Sequence, residues 1–310
     1  MRGQADFEAA LEKLSNWGRW GPDDQRGTLN LITDHARMRA VASVSAGSAY
    51  SLAIPLGHSG PQDSKGIPGR VNPIRTMLAI NVAASPSPAA AAYNDDIVTM
   101  PVQAATHWDA LSHVSYQGAM YNGVPANAVT SAGATRLGID AFGPVVSRGV
   151  LLDLPRYLGK ERLPGGFEVS RELLEACEES QQSAVLPGDI LLVRTGHIQL
   201  LFDGNVDGYH APAPGLGLDT AEWFQERQVA AVAADTIAFE LFPSPRPDVS
   251  LPLHVLCLNR LGLPIGETFA LDVLARDCAE DGRYTCLLEA SPEPFENSTG
   301  GMVNPVAIRL

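Results

Sequence analysis

Basic residues are scarce in this chain. The 22 Lys and Arg stand against 35 Asp and Glu, which leaves a formal charge of −13. An acidic surface repels phosphate backbones and anionic headgroups, so neither nucleic acid nor a membrane surface is an expected partner. Long apolar runs are missing as well. No stretch approaches the ~18 residues that a spanning helix needs. Residues 1–15, "MRGQADFEAALEKLS", lack the apolar centre of a signal peptide and read as an amphipathic helix, which points to a cytoplasmic protein. Cysteine is sparse and scattered: Cys177, Cys257, Cys278 and Cys286 form no C-x-x-C pair. They are expected as buried apolar residues or reduced thiols. A G-x-S-x-G elbow is absent, which argues against a serine hydrolase. The Gly-containing stretch "SAGATRLG" at 131–138 has no Lys and no phosphate-loop spacing, which argues against nucleotide binding. Asn297-Ser298-Thr299 matches a glycosylation sequon, read as chance without a secretory signal.

What is present fits a globular chain of 310 residues, 45% hydrophobic and 18% charged, with enough apolar mass for a sizeable core. Strand-like runs fall at 48–56, 76–84, 148–154, 189–195, 228–235, 284–290 and 304–310. Helical patterns fall at 5–15, 170–181, 218–227, 251–261 and 269–277, with Asp219 or Thr220 as an N-cap for the third. The two kinds are interleaved, with no internal repeat and no linker, which predicts one α/β or α+β domain over 1–310. Residues 16–33, "NWGRWGPDDQRGTLNLIT", read as an ordered loop, because its Trp and Leu side chains would be costly to leave in water. Residues 57–72 read as a mobile surface loop or lid, and 85–95 as a loop.

The densest chemistry lies in "THWDALSH", Thr106 to His113. On an extended segment residues i and i+2 share a face. His107 and Asp109 therefore converge while Trp108 packs away, and His113 needs a turn to rejoin them. An imidazole and a carboxylate at that spacing suit Zn²⁺ or Mn²⁺. A further imidazole can serve as general acid or base, since its pKa lies near neutrality. The alternative is three unrelated polar residues, each satisfying a local hydrogen bond.

This stretch resembles the H-x-G-T-H-x-D-x-x-x-H motif of the cyclase family of metal-dependent hydrolases. Bacterial kynurenine formamidase, isatin hydrolase and trans-dienelactone hydrolase-like proteins belong there. The likeness runs on through 16–33, through "APGLGLDTAEWFQERQVAAVAADTIAFE" at 213–240, and through "LPLHVLCLNRLGLPIGETFALDVLA" at 251–275. The resemblance implies that His107 and Asp109 are metal ligands and that His113 is the catalytic acid/base. It implies that His254 and Glu267 complete the site. The first motif His falls on Gln103, an uncharged and weaker ligand than imidazole, so one divalent ion is expected rather than two. His254 lies in an apolar run, where a satisfied core histidine is the alternative. Glu267 could instead cap the helix that follows.

The resemblance further implies a mixed α/β domain of the swivelling type, a β-barrel-like sheet with peripheral helices. It implies a homodimer or homotetramer, to which the N-terminal helix and Trp-rich loop at 1–33 could contribute. The expected activity is hydrolysis of a cyclic amide, lactone or aryl formamide by metal-activated water. A metal-dependent lyase or dehydratase and a non-catalytic metal-stabilised binding protein are the alternatives. Trp17, Trp20, Trp108, Tyr121 and Phe239 are candidate walls for a flat small-molecule substrate, with core packing as the other reading. His210, before a Pro-Gly turn, is a further pocket candidate. His35, His58 and His197 have no partner pattern. Asp235-Thr236 could touch the site or merely end a strand.

Overall fold

The apolar runs read as strands line up in one curled nine-stranded sheet in the computed structural model of the chain, which describes residues 4–42, 44, 47–62, 67–244 and 249–309. Its order is Ala49–Ser51, Val306–Arg309, Thr285–Glu289, Val146–Asp153, Ile190–Arg194, Ala231–Ala234, Ile265–Glu267, His107–Asp109, Gly300–Met302. The four strands from Val146–Asp153 to Ile265–Glu267 are mutually parallel. Antiparallel strands flank them on both sides. Parallel strands buried on both faces carry continuous apolar runs rather than alternation. Ile190 to Val193 and Ala231 to Ala234 are accordingly all buried. With peripheral helices around this curled, mixed sheet, the expected single α/β domain is the one observed.

The helices predicted at 5–15, 170–181, 218–227 and 269–277 appear as Gln4–Lys13, Arg171–Ser180, Thr220–Arg227 and Asp272–Asp281. The proposed cap of the third is not made. Asp219 accepts from the Arg171 backbone N–H instead, and the Thr220 hydroxyl donates to the Gly217 carbonyl. The segment at 251–261 is one α-helical turn, Pro252–His254, followed by a π-helix, Val255–Leu261. π-Turns are rare and concentrate at functional sites. All four cysteines are buried and unpaired, as expected from their scatter.

One reading needs correction. The loop at 85–95 runs into a strand: Ala92–Thr99 pairs with Ile74–Ala83 as a hairpin separate from the main sheet. Apart from half-buried Ala79, every residue of its two strands is exposed. Of the lid segment at 57–72, residues 63–66 lie outside the described residues.

The Trp-rich loop is fastened to its own chain. Trp17 donates its indole N–H to the Asn259 carbonyl at 2.6 Å, and the Arg260 guanidinium covers its ring. Asn16 and Thr28 bond the carbonyls of Leu261 and Gly262. The loop thus braces the π-helix from outside.

The strand Ile265–Glu267 is held at close quarters. A Cβ on Gly266 would lie 2.7 Å from the Ala233 Cβ, 2.7 Å from the Phe269 ring and 2.9 Å from the Trp108 ring. Gly266→Ala is therefore expected to destabilise the protein by about 1–3 kcal/mol through overpacking. A denaturation midpoint unchanged from wild type would refute this packing.

Candidate metal centre

The strand register builds the site. Ile265 lies opposite Asp109, and Glu267 opposite His107. Residues directly opposite one another in an antiparallel pair share a face. His107, Asp109 and Glu267 therefore project together, while Trp108 and Gly266 point to the other side. Trp108 packs edge-on against Phe269, with its indole N–H on the Ala290 carbonyl. Thr106 locks the start of this strand: its hydroxyl donates to the Thr268 carbonyl at 2.6 Å and accepts from the Ile54 N–H.

The ligand atoms face one another. His107 Nε2 lies 3.5 Å from Asp109 Oδ1 and 3.4 Å from Glu267 Oε2. His254, delivered by the turn before the π-helix, brings its Nε2 to 3.3 Å from Glu267 Oε1 and 3.8 Å from Asp109 Oδ2. All four side chains are at least nine-tenths buried. Both Asp109 carboxylate oxygens and His107 Nε2 have no hydrogen-bond partner among the described residues. A buried carboxylate without partners carries a large desolvation cost. A cation among these atoms removes it, and His107, Asp109 and Glu267 offer donor atoms all within 4.8 Å of one another. The donor set of imidazoles and carboxylates fits a divalent ion of the Zn²⁺ or Mn²⁺ kind.

The rear atoms fix the rings. His107 Nδ1 lies 2.7 Å from the Ala105 carbonyl, so it carries the proton and leaves Nε2 free to ligate. His254 Nδ1 lies 2.5 Å from Glu240 Oε1, and Glu240 also accepts from the backbone N–H groups of Leu253 and His254. Glu240 closes the block matched at 213–240, yet nothing local marks it as an orienting carboxylate. Sequence reasoning missed it because its partner enters from a separate element.

The charges interlock. Burial opposes the charged form of His254, but the hydrogen bonds and charges of Glu240 and Glu267 outweigh it and push the pKa up to about 10. Burial likewise opposes charge on His107, and Asp109 and Glu267 still hold its pKa above the usual imidazole value. Burial would raise Asp109, but His113, His107 and His254 draw its pKa well below the carboxylate range. For His113 burial wins, helped by the positive charges of His254 and Arg70, and its pKa falls.

His113 stands at the edge of this group, with Nε2 3.7 Å from Asp109 Oδ1 and its side chain 21% exposed. It is the most exposed of the three imidazoles around Asp109. Gln103 does not join the ligand group: its amide lies 3.4 Å from His113 Nδ1, so it contacts the acid/base candidate instead. In front lies a cavity of about 390 Å³ lined by His113, His254, Glu267 and His210 together with apolar side chains. Of the proposed substrate walls, His210 lines it, its imidazole held by the Pro61 carbonyl. Trp17, Trp20, Trp108 and Tyr121 do not. Trp17 is tied to the π-helix, and Trp20 pairs with Arg19. Trp108 is in the core, and buried Tyr121 donates to Asp24. Phe239 is buried edge-on against His254 rather than facing the cavity. Asp235 is also structural: it accepts from the Thr195 N–H and hydroxyl and from the Gly196 N–H, clasping two strand ends together.

Residues 50–241 match the model of the family described as "Putative cyclase", and the chain belongs to this cyclase family. A crystal structure of a novel cyclase is 42% identical over 96% of this chain and 99% of its own, with a TM-score of 0.88. Isatin hydrolase A from Ralstonia solanacearum is 18% identical over 85% of this chain and 92% of its own, at a TM-score of 0.62. A predicted metal-dependent hydrolase from Bacillus stearothermophilus is 17% identical over 85% and 98%, at 0.54. The latter two likenesses concern the fold. None of the curated proteins compared with the chain matches it. No helix among the described residues is long and apolar enough to cross a membrane.

The raised pKa of His254 sets a direction for metal binding. A protonated imidazole must lose its proton to ligate, so a cation competes with protons here. Affinity for Zn²⁺ or Mn²⁺ is expected to rise with pH from about 6 towards 9, with proton release on binding. Calorimetry in buffers of different ionisation enthalpy measures both. Glu240→Gln is expected to weaken binding by about 10- to 100-fold. Affinity independent of pH would remove His254 from the ligand set.

Proposed function

We propose that this protein is a metal-dependent hydrolase that cleaves a cyclic amide, a lactone or an aryl formamide. The observation that carries the reading is the buried Asp109 carboxylate, which has no hydrogen-bond partner among the described residues and is ringed by His107, His254 and Glu267 at the wall of a cavity. The names borne by structures of the same fold, isatin hydrolases and predicted metal-dependent hydrolases, support it.

His107, Asp109, Glu267 and His254 would hold one divalent ion. When bound, such an ion lowers the pKa of water and polarises a carbonyl oxygen. The protein supplies the rest. The apolar walls formed by Ile237, Phe242 and Leu251 hold the substrate body and exclude bulk water. His113 is neutral near pH 7, because its pKa is lowered, and a neutral imidazole can accept the proton from attacking water. It returns that proton to the leaving nitrogen or oxygen as the carbonyl is restored. Gln103 steadies the His113 ring from behind. Glu240 keeps His254 oriented towards Glu267 and Asp109.

Elemental analysis with turnover of isatin, N-formylkynurenine and a dienelactone tests the reading. Asp109→Ala is expected to lose bound metal and activity together. His113→Ala is expected to retain metal and lose about 10²- to 10⁴-fold in turnover. Normal metal content with no hydrolysis of any of the three by the wild type would favour a metal-stabilised binding protein.

We also propose a homodimer or homotetramer, with the contact made by the Ile74–Ala83 and Ala92–Thr99 hairpin of two copies. An isolated two-stranded ribbon is marginal in water. This one exposes Ile74, Leu78, Ile80, Tyr93, Ile97 and Val98, each 46% or more accessible. Two copies related by a two-fold axis would present the same apolar ribbon to each other and close the contact. The double change Leu78→Glu, Ile80→Glu is expected to yield a monomer of about 33 kDa by light scattering with unchanged circular dichroism. A wild type already monomeric at micromolar concentration would sink the idea.

A further inference from the structure

The lining of the cavity mixes two kinds of polar group. His113, His254 and Glu267 belong to the candidate metal centre. Arg70 is brought in by the turn 67–70, whose Arg70 N–H bonds the Ile67 carbonyl at 3.1 Å, and its charge acts on His113. Gly69 has a φ of +84°, a backbone conformation that a side chain resists, so the turn that presents Arg70 depends on this glycine. The rest of the lining is mainly apolar: Ile67, Ile237, Ala238, Phe242 and Leu251.

Arg70 is half-buried, and no carboxylate lies within ion-pair distance of it among the described residues. It is the one permanent cation lining this cavity among those residues. Arginines elsewhere in this chain of charge −13 meet a carboxylate of another element, as Arg148 and Arg194 do. A guanidinium offers a planar fork of donors that matches a carboxylate in two-point fashion.

We propose that Arg70 selects the substrate: the cavity takes a small molecule with an apolar, flat body that carries a carboxylate, and Arg70 binds that carboxylate while the scissile carbonyl faces His113. This rests on the reading of the His/Asp/Glu group as the reaction centre. It adds a substrate class that the group alone does not name. Arg70 also offsets, locally, the repulsion that so acidic a protein exerts on an anion.

The test uses two matched probes, 2-naphthoate and neutral 2-naphthamide, titrated into the metal-loaded wild-type chain, Arg70→Ala and Arg70→Lys. Wild type is expected to bind the carboxylate about tenfold more tightly than the amide. That preference is expected to vanish in Arg70→Ala and to return in part in Arg70→Lys. A preference that survives Arg70→Ala would mean that the metal group reads the carboxylate, and it would overturn the proposal. So would equal binding of the two probes by wild type, or binding of neither. Asp109→Ala separates the two readings. Loss of an Arg70-dependent preference leaves the hydrolase assignment standing, whereas normal metal content in Asp109→Ala overturns that assignment whatever the probes do.

Discussion

An ionised carboxylate buried without a hydrogen-bond donor is among the most costly features a fold can hold. Asp109 is in that position, and much of the surrounding structure serves to bring positive or protonated groups to it. Two of the three imidazoles that depress its pKa come from its own segment, and the third arrives from the far end of the chain. Without those groups, or a cation in their midst, the strand that carries Asp109 would have no reason to place it inside.

The arrangement is rigid because each candidate ligand rides on an element pinned from elsewhere. The antiparallel register that opposes Glu267 to His107 is held by Thr106 and by the tight packing around Gly266. His254 precedes a π-helix, and that helix is gripped by the N-terminal loop through Trp17, Asn16 and Thr28. The Trp-rich loop therefore acts on the site at a distance, as a brace rather than as a wall. Arg194, bridging Asp153 and Asp272 in the interior, and Asp235, clasping Thr195, fix the ends of the parallel strands in the same way. Such buried pairs are costly to break, since removing one partner strands the other charge.

Part of this was legible in the sequence because strand periodicity is a local rule. The i, i+2 spacing put His107 and Asp109 on one face. The same rule puts Trp108 on the opposite face, in the core, which rules it out as a substrate wall. His254 and Glu267 had no local signature that would separate a ligand from a core histidine or a helix cap. Only the motif resemblance brought them in, and their convergence depends on strand order that no short window encodes. Glu240 was invisible for the same reason. The hairpin at 74–99 was half-read, because its second strand is exposed on both sides and so carries no alternation against its own core. The mixed α/β class, by contrast, followed from the interleaving of apolar runs and helical patterns along the whole chain.

The residues lining the cavity come from elements built in different ways, and the difference bears on what can vary. His254 and Glu267 sit on a braced helix start and a central strand, where a shift of one residue in register would turn Glu267 to the wrong face. Ile67, Pro68 and Arg70 sit on a surface turn that contributes no strand to the sheet. Substitutions there leave the sheet pairing untouched, whereas substitutions at the ligand strands do not. On the proposed reading, chemistry and selection would be separated in the fold: the sheet fixes the His107, Asp109 and Glu267 group, while the turn at 67–70 is free to change in charge and shape.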